Sequence, residues 1–146
     1  MAVLTRTALR QRIQTAVDAV TGLTVSAFAP ELFGSDTARE MAGRFSVGLG
    51  VSEPAPQDRQ VRTAEGVYCQ TPVTVRIAHK LRADAQVADL DAASTVADAA
   101  MVGVMAPGNL ANCQIYFVRA SQELTPQAEF VLSTLDFLVY HRIPTV

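Results

Sequence analysis

Apolar residues recur along this chain with two periods, and the switches between them mark its elements. Leu9, Ile13, Ala16, Val17 and Val20 stand three and four apart, which predicts an amphipathic helix from about Thr7 to Thr21. Thr5 or Thr7 offers a capping hydroxyl at its start, and Gly22 suits a left-handed end. Leu23 to Val25 reads as a short strand. From Arg44 the period falls to two. Phe45, Val47, Leu49 and Val51 alternate with Arg44, Ser46, Gly48 and Gly50, and Val73, Val75, Ile77 and Leu81 repeat the pattern against Thr74, Arg76, Ala78 and Lys80. Two such strands pair most simply antiparallel.

Helical spacing returns with Val87, Leu90, Ser94, Ala97, Met101 and Val104, in a helix running from Asp84, its expected N-cap, to Met105. Most of its remaining surface is alanine and aspartate, small enough to lie close to a sheet; Gly103, Pro107 and Gly108 end it. Gln114 to Ala120 is a strand. Phe130 to Tyr140 has two readings. Thr125 before Pro126 resembles a helix start, whereas Phe130, Val131, Thr134, Phe137, Val139 and Tyr140 are β-favouring types. A strand is expected, because it closes a hairpin with Gln114 to Ala120. The fold class that follows is α+β: one domain over residues 1–146, an antiparallel sheet of about four strands, and two helices on one face.

The last strand is apolar on both sides, with Phe130, Leu132, Leu138 and Tyr140 on one and Val131, Leu135, Phe137 and Val139 on the other. Two helices on one face cover only one set, so a second layer of the same chain, a fold of the sheet or another subunit must cover the other, and a subunit is the expectation. Val131, Leu135, Phe137 and Val139 are the expected subunit interface.

Between the strands Phe45 to Val51 and Val73 to Leu81 lies the polar, proline-bearing stretch Glu53 to Gly66. It is far longer than a hairpin turn needs, and long connections without a period of their own are commonly functional. The expectation is a long protruding β-hairpin arm that touches a partner through Glu53, Gln57, Asp58, Arg59, Gln60 and Arg62.

Composition narrows the function classes. Although 49% of the residues are hydrophobic, no apolar run approaches the ~20 residues that cross a bilayer. The N-terminal segment has early arginines without a following apolar region, so a signal peptide is not expected and synthesis in a cytoplasm is. A net charge of −2 disfavours specific nucleic-acid binding yet suits a wall past which DNA slides. Cys69 and Cys113 lack companions at metal-ligand spacing and read as free buried thiols, with no zinc site.

Catalytic signatures are also lacking. His79 shares the apolar face of its strand and reads as a hydrogen-bonded core or interface residue; His141 and Arg142 read as a solvated strand end. There is no Gly-x-Ser-x-Gly elbow, and Gly48-Leu-Gly50 sits inside a strand pattern, not before a helix. Asp84, Asp89, Asp91 and Asp98 share one helix without a converging partner. No enzymatic activity, cofactor or metal is expected.

The succession of N-terminal amphipathic helix, strand Phe45 to Val51, arm Glu53 to Gly66, strand Val73 to Leu81, helix Asp84 to Met105 and the pair Gln114 to Ala120 with Phe130 to Tyr140 resembles the tail terminator proteins of long-tailed bacteriophages. The likeness covers nearly the whole chain and is one of topology, size and arm. It implies a virion protein, assembled in the host cytoplasm, that forms a homohexameric ring at the head-proximal end of the tail. Such a ring stacks on the last ring of tail tube protein, stops tube growth and offers a surface to the head-tail connector or neck protein. DNA passes through its lumen without specific binding, and heterologous contacts close the ring. Two other readings stand beside it: a head-completion or neck protein that binds the portal complex, and a small ligand-binding protein or enzyme with a pocket around His79.

Overall fold

The structure, a computed structural model, describes residues 4–26, 43–55, 62–63, 66–125 and 129–144, with only the backbone described at 62 and 63. Helix α1 spans Arg6–Asp18. Thr5 is its N-cap, its hydroxyl accepting from the Ala8 amide at 3.0 Å, and Leu9, Ile13 and Val17 form its buried face. Gly22 follows in a turn with φ of +88°, a conformation that only glycine adopts readily.

Helix α2 spans Gln86–Val104 and departs from the expected face and cap. Ala85 occupies the N-cap position without a side-chain bond, and Asp84 lies before it. Order at this end comes from Asp89, which accepts from the Arg82 amide at 2.7 Å and from its guanidinium at 3.0 and 3.1 Å. Those hydrogen bonds hold the Asp89 carboxyl below the usual carboxylate range. The buried stripe is Asp89, Ala93, Ala97, Ala100 and Val104, whereas Val87 is exposed. Alanines, with no bulk beyond Cβ, let the helix lie closer to its neighbours than a Val87–Leu90 face would. The contact with α1 is tight too: a Cβ at Gly103 would stand 3.3 Å from the Ala16 carbonyl oxygen.

The strands are β1 (Thr24–Val25), β2 (Arg44–Leu49), β3 (Glu53–Pro54), β4 (Arg62–Thr63), β5 (Gly66–Lys80), β6 (Cys113–Leu124) and β7 (Phe130–Ile143). They form one sheet in the order β1-β2-β5-β7-β6, with β3 and β4 both paired to the first part of β5. The sheet is mixed, since β1 runs parallel to β2, while β2 and β5 are antiparallel with Phe45 opposite Ile77 and Val47 opposite Val75. The last segment is a strand, as its residue types predict. The sheet exceeds the expected four strands because β1 joins β2, and because β5 begins at Gly66, not Val73, and its early residues take short partners from the arm.

One core lies between the helices and the sheet. Leu9, Ile13 and Val17 of α1 and Ala97, Ala100 and Val104 of α2 meet Phe45, Val73, Val75, Leu135, Phe137 and Val139. This corrects the interface expectation. Leu135, Phe137 and Val139 are buried under the chain's own helices, and Val131 is buried with Leu81 and Ala93. Strand parity left the choice of face open, and α2 settles it by covering this one.

Candidate functional site

Three regions carry polar or exposed groups that the core does not explain: a buried network at the base of the arm, an aromatic row on the outer sheet face, and the flank of α2 and β6.

Cys69, His141 and Cys113 lie opposite one another on adjacent strands β5, β7 and β6. His141 is 1% exposed, so it is not the solvated strand end expected from its position after an apolar run. Its Nδ1 is 2.7 Å from the Leu4 carbonyl oxygen, which can only accept, so Nδ1 carries the proton. Nε2 is then an acceptor. Thr71 donates to it at 2.7 Å and accepts in turn from Ser52 at 2.7 Å. The Cys69 thiol stands 3.5 Å from Nε2.

This row contains a thiol beside an imidazole, the raw material of a nucleophilic pair, but its electrostatics oppose that chemistry. Burial pushes the Cys69 thiol above its ordinary value and the His141 imidazole below its own, favouring the two neutral forms. Cys113 is half-buried, its thiol likewise raised by burial, and donates to the Asn109 carbonyl at 3.2 Å. Both cysteines are free. Among the described residues no three His, Cys, Asp or Glu side chains are placed to hold a metal ion, and no helix is long and apolar enough to cross a membrane. The network fastens the start of α1 to β7, a structural task. His79 is half-buried opposite Val131, near enough to Asp89 to act on it electrostatically.

On the sheet face away from the helices, Tyr68, Tyr140 and Tyr116 form a row across β5, β7 and β6. Tyr116 meets Tyr140 edge-on at 5.5 Å between centroids, Tyr68 lies 6.3 Å from Tyr140, and the Arg142 guanidinium stands 5.1 Å over the Tyr68 ring. Gln114, Tyr116, Leu138 and Tyr140 line a cleft of about 180 Å³ there. The row is not legible in the sequence, because Tyr68 falls just past the expected arm and Tyr116 lies in a strand that parity alone does not orient. Continuing the two-residue alternation of β5 back to Gly66 places Tyr68 on this face.

β6 closes one edge of the sheet and pairs with β7 alone among the described strands. Its twelve residues are almost all exposed, including Tyr116 at 50%, Phe117 at 41%, Val118 at 57% and Leu124 at 51%. A bulge at Val118, between Phe117 and Arg119, bends the strand. α2 packs over β7 and β5 and reaches β6 through Ser94, whose hydroxyl donates to the Gln122 side-chain carbonyl at 3.4 Å and accepts from its amide at 3.2 Å. Around that bridge lies a shallow groove of about 270 Å³, lined by Ser94 and Asp98 of α2, Ala120 and Gln122 of β6, and Leu135.

Of the expected arm contacts, Glu53 is exposed on β3 and accepts weakly from Gln70 at 3.4 Å, and Arg62 lies on β4 opposite Val67. Gln57, Asp58, Arg59 and Gln60 lie outside the described residues. The structure therefore brings the two ends of the arm to one strand, β5. No protein-family model matches the chain, and it has no significant match among curated proteins.

Proposed function

We propose that this chain is a structural protein of a long-tailed phage, a tail terminator whose copies form a homohexameric ring at the head-proximal end of the tail tube. The observation that carries this reading is the edge strand β6, which exposes Tyr116, Phe117, Val118 and Leu124 and pairs with β7 alone among the described strands. A long apolar edge strand is a template for association, and a folded chain that otherwise buries its core leaves one open for a partner. Repetition of one heterologous contact around an axis makes a ring.

On this reading the stretch Glu53 to Gly66 is a protruding hairpin arm, rooted on β5, that reaches the last ring of tail tube protein through Glu53, Gln57, Asp58, Arg59, Gln60 and Arg62. The opposite surface meets the head-tail connector. The work is geometric: capping ends tube polymerisation, and DNA crosses the lumen without specific binding. No catalytic group, cofactor or metal takes part.

Electron microscopy of the purified protein, alone and mixed with tail tubes, tests the reading. Rings and tubes capped at one end are expected. Protein that leaves tube length and tube ends unchanged overturns the assignment, and binding to the portal complex in place of the tube assigns the neck role instead.

A further inference from the structure

We infer that the tyrosine row on the outer sheet face is a stacking platform for single-stranded nucleic acid, a binding site that goes beyond the ring reading and does not depend on it. The chain has three tyrosines and no tryptophan, and all three tyrosines stand in this one row. Register puts them there. Tyr140 lies opposite Gln70 of β5 and Gln114 of β6, while Tyr68 is opposite Arg142 and Tyr116 opposite Leu138, so the row runs diagonally across three adjacent strands. Under the helices the sheet uses phenylalanine instead, at Phe45 and Phe137. A tyrosine offers an apolar ring face while its hydroxyl stays wet, which suits it to an open surface.

The rings of Tyr116 and Tyr140 stand at 89° to one another and form a corner, which Gln114 and Leu138 complete as the 180 Å³ cleft. A second cleft of about 350 Å³, reaching Tyr68, Leu110 and Asn112, shares Tyr140 and Gln114 with the first. A flat ring laid on one tyrosine of the corner meets the other with its edge. Gln114 accepts weakly from the Tyr116 hydroxyl at 3.4 Å, and its amide nitrogen bonds no other group among the described residues. That donor suits the acceptors on the edge of any base, so the site is sequence-tolerant. Farther along the same face Ala78 and Leu132 are buried, which leaves the tyrosine end as the open ground.

Charge selects the occupant. Strand parity puts Arg44, Arg76, Lys80, Arg119 and Arg142 on this face, against the carboxylates Glu53, Glu123 and Asp136, so it is basic in a chain whose net charge is −2. Asp136 is already engaged, accepting from Arg119 at 2.8 Å and from Thr74 at 2.9 Å. The Arg119 side chain is 76% exposed beside Tyr116, and Arg142 lies over Tyr68. Aromatic faces among cations match a polyanion whose bases are unstacked. A duplex offers only its phosphates, because its bases cover one another. Proline-rich peptides also dock on aromatic grooves, yet they bring no negative charge to meet these arginines.

Tyrosine emission reads the platform directly, since every tyrosine of the chain belongs to it. A thymidylate decamer at low salt should quench that emission saturably, and the anisotropy of a labelled decamer should give the same affinity. Log affinity should fall against log salt with a slope of about −2, for phosphates met by Arg76, Arg119 and Arg142. Tyr116→Ala should bind about tenfold more weakly, whereas Tyr116→Phe, which keeps the ring, should bind about as well as the unchanged chain. Arg119→Gln should reduce the salt slope by about 0.7. Circular dichroism first establishes that each variant is folded, and the surface change Arg119→Gln carries the test if Tyr116→Ala is not. A decamer that alters neither emission nor anisotropy overturns the platform. So does a folded Tyr116→Ala that binds as the unchanged chain does, an unchanged slope in Arg119→Gln, a duplex of equal length bound as tightly as the single strand, or a proline-rich peptide that quenches where the decamer does not. The ring reading survives each of these results, because imaging with tail tubes decides it.

Discussion

His141 donates from Nδ1 to the Leu4 carbonyl oxygen at 2.7 Å, joining residues 137 positions apart. The Leu4 amide returns a bond to the Arg142 carbonyl at 2.8 Å, so the chain entering α1 is held to β7 on both sides. Replacing His141 with Ala strips partners from the Leu4 carbonyl and the Thr71 hydroxyl and leaves a void. Unpaired buried groups and cavities together cost about 2–4 kcal/mol. Urea unfolding should show that loss, and an unchanged midpoint would show that the network contributes nothing to folding.

The same residue sets a pH dependence. Burial lowers the folded-state pKa of His141 from its ordinary 6.5, so on acidification the unfolded chain takes up this proton first. Its contribution to stability is fully present above about pH 6.5 and is lost as the pH falls from there through the lower folded-state value. Urea midpoints measured between about pH 7.5 and 5 should fall on acidification, and His141→Asn should flatten that limb. A limb equally steep in the variant would assign it to other groups.

Legibility in the sequence followed period. Leu9, Ile13 and Val17, the alternation at Phe45 and Val47, and the β-favouring run from Phe130 each reported their element, because burial of one face imposes its period on the side chains. The face of α2 was legible in part: Ala97 and Val104 are buried and Leu90 and Met101 pack against the core, but Val87 is exposed and the stripe is turned toward Asp89, Ala93 and Ala100, because alanines mark a close approach without a hydrophobic signal. The choice between the two apolar faces of β7 escaped for a related reason: parity separates Leu138 from Val139 but does not say which of them a helix covers. His141 was obscured because its three partners, Leu4, Cys69 and Thr71, are distant in sequence.

Gly66 begins β5 at φ +122°, and a Cβ there would collide with the Ile143 carbonyl and come within 3.2 Å of the Pro144 Cα. Both obstacles are backbone, which cannot swing aside as a side chain would. Gly66→Ala should therefore lose about 1–3 kcal/mol and loosen the pairing of Val67 with Ile143. Thermal unfolding reads the first effect and amide exchange at Val67 the second. A variant matching the unchanged chain in both would mean that the arm's root lacks this backbone contact.

On the proposed function, the stretch Glu53 to Gly66 serves capping more than folding. Glu53 and Pro54 lie opposite Gln70 and Cys69, and the Ala55 amide donates to the Tyr68 carbonyl at 3.2 Å, so the root belongs to the sheet. Replacing residues 57–65 with Asn-Gly keeps the β3 half of that root, gives up the two β4 pairs, Arg62 with Val67 and Thr63 with Gly66, and removes the reach beyond them. Loop-closure entropy changes only slowly with length, by about 0.6 kcal/mol for each doubling, so stability should stay within about 1 kcal/mol of the unchanged chain. Tail assembly should fail nonetheless, giving over-long or headless tails by electron microscopy, because on the proposed function the arm is what meets the tube. Normal tails joined to heads would deny the arm that role, whereas a variant that unfolds would show that the sheet depends on residues beyond Ala55.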